Sequence, residues 1–451
     1  MAVKFRDIAH MPASWRSVVT HRPSRLAHQV AAAFDCFIPE RDRRFGIRLW
    51  DGSFLPPGAG PAAWTLVLNS PAALRTAFLH PSDLALGEAF VRGEWDVEGD
   101  LEQVFSLAEA IGHYAPKPRD LLRLVPLLFA SDHDHGERQQ PGFQARDGVA
   151  HTPGRDREAI RYHYDVGNDF YALWLDANLV YSCAYFHTDS DDLASAQEAK
   201  LDHICRKLRL RPGERFLDIG CGWGALIMHA ARHYGVNATG ITISEAQAAL
   251  ARERIAAAGL ADRVQVEVRD YRDLPTAWFD KAASVGMAEH VGRARLGTYF
   301  RAAYRALKPG GLFLHHAIAE QPTPGGHRNS ALGNHRESTF IQKHVFPDGE
   351  LIPVSEALTT AERTGFEVAD VEGLRRHYAL TLRHWLRRLE VRRTEALDIV
   401  DVTTYRTWRL YLAGAAHSFA AGHNSIFQAL LARPNDDGTS ALPLTREDLY
   451  E

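Results

Sequence analysis

Apolar and polar positions along this chain follow two rhythms. Between residues 211 and 320, short apolar runs recur, separated by stretches with helical spacing. Residues 215–219, 236–241, 264–268, 279–285 and 311–318 read as strands, and 223–234, 245–258 and 293–307 as helices. Successive strand–helix units predict an α/β fold, with a doubly wound, mainly parallel, Rossmann-like sheet. Ligands of such sheets bind beyond the carboxyl ends of the strands, so chemistry is sought where strands end.

The first 130 residues are patterned differently and predict a smaller mixed domain. Residues 47–52 read as a strand entering a turn, and 64–68 as a second strand. Ser70-Pro71 is a helix start, with Ser as N-cap and Pro at the first helical position. A second helix is expected over 83–92. No catalytic constellation stands here, and a binding module and a structural unit fit equally. Residues 131–158 are rich in Asp, His, Arg, Gln and Gly, with Phe143 and Val149 the large apolar residues that stand out. Such a stretch buries too little area to offset its ordering entropy and is expected to be a polar linker or mobile loop. Asp132-His133-Asp134-His135 inside it reads as a solvated turn, because no further ligand cluster is near.

Composition narrows the classes. In 451 residues, 45% hydrophobic and 24% charged content exclude a disordered or small disulfide-stapled chain. A net charge of −4 gives no global positive field, so no nucleic-acid partner is expected. Cys36, Cys183, Cys205 and Cys221 form no CxxC pair and suit a reducing cytoplasm. The N-terminus lacks the apolar core of a secretory signal. No apolar run reaches the ~20 residues that span a bilayer. The richest stretch, 121–130, is short and contains Arg123 and Pro126.

The candidate chemistry begins at Asp218-Ile219-Gly220-Cys221-Gly222-Trp223-Gly224, a strand running into a glycine turn and a helix. Gly220 and Gly222 permit a tight turn and close approach of a ligand to backbone N–H groups. Asp218 precedes the glycines, and the Lys-Ser/Thr of a phosphate loop is absent. An adenosine ligand without phosphates, its amino-acid tail near the glycines, suits this better. The next strand ends in Thr242-Ile243-Ser244, where an acid usually holds the ribose, so Thr242 and Gln247 become the candidates for ribose contacts. Asp270 can accept from an adenine amino group, and Tyr271 can stack on the ring.

The glycine loop resembles motif I of class I S-adenosylmethionine-dependent methyltransferases. His163-Tyr164-Asp165-Val166-Gly167-Asn168-Asp169, Tyr181-Ser182-Cys183-Ala184-Tyr185, Gly240-Ile241-Thr242-Ile243-Ser244, Asp270-Tyr271-Arg272-Asp273-Leu274 and Gly286-Met287-Ala288-Glu289-His290-Val291-Gly292 accompany it. Together they resemble the cyclopropane-fatty-acyl-phospholipid synthase family, which includes the mycolic-acid cyclopropane synthases. The resemblance covers most of 160–430 and extends weakly to Leu86-Gly87-Glu88-Ala89-Phe90 and Gly93-Glu94-Trp95-Asp96.

The resemblance implies a lipid-engaging N-terminal domain (1–130) and a catalytic domain (159–451), in a homodimer acting on phospholipid at the cytoplasmic face of the membrane. It implies methylene transfer from S-adenosylmethionine to a cis acyl double bond through a carbocation, with bound bicarbonate as the base. Tyr181 and Ser182 join the cofactor set of Asp218, Gly220, Gly222, Thr242, Gln247, Asp270 and Tyr271. The bicarbonate cage carries over to Cys183, Glu289, His316, Ile318 and Tyr378, with Cys183 as lining rather than nucleophile. No metal is implied.

The cation requires a dry site lined with π faces and anions. Trp174, Tyr181, Tyr185 and Phe186 lie in the segment expected to cover the cofactor, with core packing the competing reading for Trp174 and Phe186. Leu382, Trp385, Leu386 and Leu389 repeat at helical spacing among arginines. This fits a helix lying on an anionic bilayer, or a surface helix with a solvated face. Trp15, Arg16, Arg22 and Arg25 carry the same ambiguity. Residues 411–419 fit an acyl-channel wall or close packing. Ala288 stands where relatives often carry Phe, which bears on acyl-chain position. A methylene- or methyl-branched fatty acid is the alternative product, and methylation of a small metabolite a further one.

Overall fold

A computed structural model describes residues 40–112, 151–321 and 338–449 apart from 59, 80, 81, 165 and 441, together with 29, 30, 34 and 38. Cys36, the stretch 121–130, the Asp132–His135 turn and the N-terminal residues Trp15, Arg16, Arg22 and Arg25 lie outside the described residues, as does most of the expected linker. The described residues fall into two compact units, one within 1–140 and one within 141–451.

The first unit carries β1 (Gly46–Arg48), β2 (Phe54–Leu55) and β3 (Trp64–Leu68), then α1 (Pro71–Leu79), α2 (Asp83–Val91), β4 (Trp95–Gly99) and α3 (Gln103–Gly112). Its mixed sheet has the order β2-β1-β3-β4. Ser82 caps α2 by accepting from the Ala85 N–H. The two weakly family-like motifs meet here. Trp95 Nε1 donates to the Leu86 carbonyl at 3.0 Å, and its ring lies 4.8 Å from that of Phe90.

The second unit begins with α4 (Pro153–Tyr164), α5 (Asn168–Trp174) and α6 (Leu193–Lys207). Strand–helix alternation follows: β5 (Arg215–Ile219), α7 (Ala225–Tyr234), β6 (Asn237–Thr242), α8 (Glu245–Ala257), β7 (Val264–Val268), β8 (Phe279–Val285), α9 (Leu296–Ala306) and β9 (Leu307–Glu320). Then come α10 (Thr339–His344), α11 (Val354–Arg363), β10 (Glu367–Gly373), α12 (Arg375–Val391), α13 (Arg393–Ile399), α14 (Val402–Ala421) and β11 (Asn424–Ala432). The seven-stranded sheet runs β10-β11-β9-β8-β5-β6-β7. From β9 through β7 every pair is parallel, and β11 and β10 add antiparallel pairs. This is the doubly wound sheet expected.

Alternation along each strand feeds two cores. On one face Phe216 and Val266 pack with Ile204, Ile227 and Ala251. On the other, Leu217, Phe313 and Phe427 pack with Tyr299 and Phe300 of α9 and Ala361 of α11. Burial of this apolar surface supplies most of the stabilisation.

Three expectations are corrected. Residues 153–158, read as linker, are the first turns of α4, with Pro153 at the helix start. Its polar side chains are fixed by tertiary pairs, Arg155 with Asp348 and Asp156 with Arg272, which composition does not reveal. The helix expected over 293–307 is α-helical only from Leu296, after a 3-10 turn at Arg293–Arg295. The strand expected over 311–318 extends to Leu307–Glu320, because β8 pairs it from Leu307 and β11 as far as Glu320.

The arginine-rich stripe is settled by packing. Leu382, Trp385, Leu386 and Leu389 of α12 are buried, so this apolar face is turned into the protein and is not available to a bilayer. Arg388 and Arg392 donate to the carbonyls of Leu175 and Leu173 at the end of α5.

Candidate active site

The tips of β5, β6, β7 and β8 open onto a cavity. At the end of β5 the chain turns at Gly220 with φ +85°, a left-handed conformation that favours glycine, and a Cβ there would meet the Met287 side chain at 3.0 Å. The turn is pinned by the Gly220 and Cys221 N–H groups, which donate to the Ile241 carbonyl. β6 approaches so closely that a Cβ on Gly240 would meet Cys221 Sγ at 2.7 Å and Ile227 Cδ1 at 2.8 Å.

All nine residues expected to hold a cofactor line this cavity: Tyr181, Ser182, Asp218, Gly220, Gly222, Thr242, Gln247, Asp270 and Tyr271. Thr242 Oγ1 donates to Gln247 Oε1 at 2.9 Å, while Ser244 caps α8 by accepting from the Gln247 N–H. Asp270 is held by Arg272, whose Nε and Nη2 bond its two oxygens at 2.7 and 2.6 Å. Arg272 also reaches Asp156, tying α4 to the rim. Tyr271 meets Tyr299 edge-on at 5.8 Å.

At the glycine end, burial pushes the Asp218 carboxyl up to about 7, and Lys200 partly offsets this. Asp218 Oδ1 is enclosed with no hydrogen-bond partner among the described residues. Lys200 Nζ donates to Ser182 Oγ at 2.9 Å. Sequence reasoning missed Lys200. The available signal was a set of polar residues, Gln197, Lys200 and Lys207, at positions that α6 buries.

None of the five residues of the second expected set lines this cavity, but backbone contacts link them at the β8–β9–β11 side of the site. Glu289 Oε1 accepts from the Ile318 N–H at 2.7 Å. His316 and Ile318 are two apart on β9, hence on one face of it. The Gly286 N–H donates to the His316 carbonyl at 2.9 Å. Ile318 pairs with Ile426 of β11, whose carbonyl accepts from the Leu374 N–H. The Leu374 carbonyl receives Cys183 Sγ at 3.9 Å and the Tyr378 N–H at 3.1 Å.

Burial raises the Glu289 carboxyl from 4.5 to about 7, against the Ile318 hydrogen bond. It drives the His316 imidazole well below its ordinary value, so the ring is neutral. His316 Nδ1 is held 3.1 Å from the Gln428 amide nitrogen, which sequence analysis did not single out. Glu289 Oε2 and His316 Nε2 are both enclosed with no partner among the described residues. An acceptor and a neutral imidazole nitrogen lacking partners suit a small oxyanion that both accepts and donates hydrogen bonds, as bicarbonate does. Burial pushes the Cys183 thiol upward, so it is protonated and no nucleophile.

The aromatic segment divides. Tyr181 lines the cavity, whereas Trp174 is fully buried between Tyr181 and Trp385, with ring centroids 5.4 and 5.6 Å away. Phe186 is buried, and Tyr185 stacks between His203 and His377 instead of over the cavity. Of the 411–419 stretch, Tyr411, Leu412, Ala413, Ala416 and Phe419 are buried in α14, where Phe419 lies 4.7 Å from the Tyr378 ring. Ala288 is buried beside Glu289.

Comparison with known proteins places this geometry. The family described as "Mycolic acid cyclopropane synthetase" matches residues 151–429. A "Probable fatty acid methyltransferase" of Pseudomonas putida is 42% identical over 90% of this chain and 95% of its own length. The "Cyclopropane-fatty-acyl-phospholipid synthase" of Escherichia coli (strain K12) is 34% identical over 80% of this chain and 86% of its own. Mycolic acid cyclopropane synthase CmaA1, solved in complex with SAH and CTAB, superposes with a TM-score of 0.57 at 32% identity. That match covers 61% of this chain and 98% of CmaA1.

Proposed function

This chain belongs to the mycolic acid cyclopropane synthetase family of S-adenosylmethionine-dependent methyltransferases, and on that premise we propose that it builds cyclopropane rings on cis-unsaturated acyl chains of membrane phospholipids. The observation that supports the reading is the presence of two enclosed atoms, Glu289 Oε2 and His316 Nε2, with no partner among the described residues.

S-adenosylmethionine supplies an electrophilic methyl group, and the chain's residues do the rest. Thr242 and Gln247, which line the cavity, would contact the ribose and Tyr271 the adenine. Asp270 is already bonded by Arg272, so an adenine contact from it uses the remaining acceptor capacity of its carboxylate. An alkene is a weak nucleophile, so holding it in line with the methyl is a large part of catalysis. The resulting acyl cation must be kept from water, and the buried Tyr378, Trp385 and Trp174 rings, packed with one another and with Tyr181 of the cavity, would do this. Ring closure removes a proton from the added carbon. Bicarbonate, when bound, would supply the base, and Glu289, His316, Tyr378 and the backbone at Cys183 would hold it, with the Ile318 N–H fixing the Glu289 carboxylate. Glu289 accepts and His316 Nε2 bonds at the atoms that the protein leaves open.

The proposed substrate lies in a bilayer, and the family resemblance puts the enzyme at the inner membrane surface; no described helix is long and apolar enough to cross a membrane. The family resemblance extends the proposal to a homodimer with residues 1–130 engaging lipid and 159–451 catalytic. A second reading, a methylene- or methyl-branched product from loss of a different proton or a hydride shift followed by reduction by a partner, is favoured by the Pseudomonas putida relative's description as a fatty acid methyltransferase.

The test is incubation of the protein with [methyl-13C]S-adenosylmethionine and vesicles of monounsaturated phospholipid. Label should enter the acyl chains, more slowly in buffer stripped of CO2. Label found only in headgroup amines or small metabolites would overturn the reading.

A further inference from the structure

Lys200 is 2% exposed, yet it lines the cofactor cavity. Its ammonium donates to Ser182 Oγ. Among the described residues no carboxylate stands within ion-pair distance of it. Lys207, two turns further along α6, shows the contrast: it is equally buried but pairs with Glu372 and lies 3.8 Å from Asp370. Asp176 and Asp218 act on Lys200 through their charge without bonding it. A buried cation without a bonded anion is costly to maintain, and burial lowers the Lys200 ammonium to about 8.

Asp218 is the complementary case. It lines the same cavity, and its enclosed Oδ1 has no partner among the described residues. The cavity therefore presents a cation and an anion, each lacking a bonded counter-charge among the described residues. Ser182 adds to the cationic side. Its oxygen accepts from Lys200, which leaves its own hydrogen free to donate. A ligand with a carboxylate and an ammonium on one carbon satisfies both sides at once, and the amino-acid tail of S-adenosylmethionine is such a group.

We propose that Lys200, with the Ser182 hydroxyl it orients, is the receptor for the cofactor's carboxylate, and Asp218 the receptor for its ammonium. This rests on the S-adenosylmethionine reading of the cavity. It makes Lys200 a binding residue whose charge is balanced only when cofactor is present.

Two ligands separate the claim from a structural role. S-adenosylhomocysteine carries the amino-acid tail, and 5′-methylthioadenosine lacks it. Binding of each to wild type and to Lys200→Met is measured by calorimetry, with thermal melting of the ligand-free proteins alongside. The variant should lose about 10- to 100-fold in S-adenosylhomocysteine affinity, the scale of a buried charge-assisted hydrogen bond, and stay within about twofold for methylthioadenosine. Its ligand-free form should melt no lower than wild type, because an unbalanced buried charge has been removed. Lys200→Gln keeps length and polarity should the methionine variant fold poorly, and should show the same ligand-selective loss at smaller size. Equal losses for both ligands, or an unchanged S-adenosylhomocysteine affinity, would overturn the proposal. Wild type binding neither ligand would overturn the cofactor reading and the proposal with it.

Discussion

Glu289→Gln is expected to stabilise the protein at alkaline pH while removing its turnover. The carboxyl of Glu289 is raised from 4.5 to about 7 by burial, so the folded protein holds this proton to higher pH than the unfolded chain does. Stability is therefore unaffected where both states are protonated, falls as pH rises from about 4.5 to about 7, and is level above that. At about 1.4 kcal/mol per pH unit, the carboxylate costs roughly 1.4 kcal/mol at pH 5.5 and on the order of 3 kcal/mol at pH 8. Glutamine escapes this cost and keeps an oxygen to accept from the Ile318 N–H. Urea unfolding of wild type and variant at the two pH values measures the difference. The variant's advantage should grow by about 2 kcal/mol between pH 5.5 and pH 8. A variant less stable than wild type at pH 8, or an offset identical at both pH values, would refute the reasoning.

Other consequences are checked more simply. Trp385→Ala removes a fully buried ring from α12 and should cost about 3–5 kcal/mol in urea unfolding, with vesicle binding of the folded protein unchanged. Gln428→Leu takes away the partner of His316 Nδ1, so turnover should fall at least tenfold, about 1.4 kcal/mol, while S-adenosylhomocysteine affinity measured by calorimetry is kept. Gly240→Ala drives a Cβ into Cys221 and Ile227 behind the glycine turn. It should cost about 1–3 kcal/mol in thermal melting and weaken cofactor binding in the same preparation.

Much of the parallel sheet was legible because each βα unit carries its own signal. Residues 215–219, 264–268 and 279–285 form strands with the bounds that their apolar runs set. Residues at strand tips are placed by the topology, which is why Asp218, Thr242 and Asp270 reach one cavity. What depended on distant partners was hidden. Gln428 faces His316 only through the antiparallel β9–β11 register, and the capture of Asp270 by Arg272 is a side-chain choice that spacing does not fix. Lys200 was masked by an otherwise ordinary amphipathic helix. Likewise α4 has a polar sequence and is held by ion pairs to Asp348 and Arg272. The arginines and leucines of α12 fitted either a membrane face or a surface helix, and its leucines and Trp385 are part of the interior.

The central claim is that acyl double bonds become cyclopropane rings with Glu289 holding the base. Proton NMR of acyl chains recovered after incubation with S-adenosylmethionine, bicarbonate and monounsaturated phospholipid vesicles tests it most directly, because mass alone does not separate a ring from a methylene branch. The account predicts upfield ring protons that disappear with Glu289→Gln. Vinylidene protons in their place, or ring protons undiminished in that variant, would contradict it.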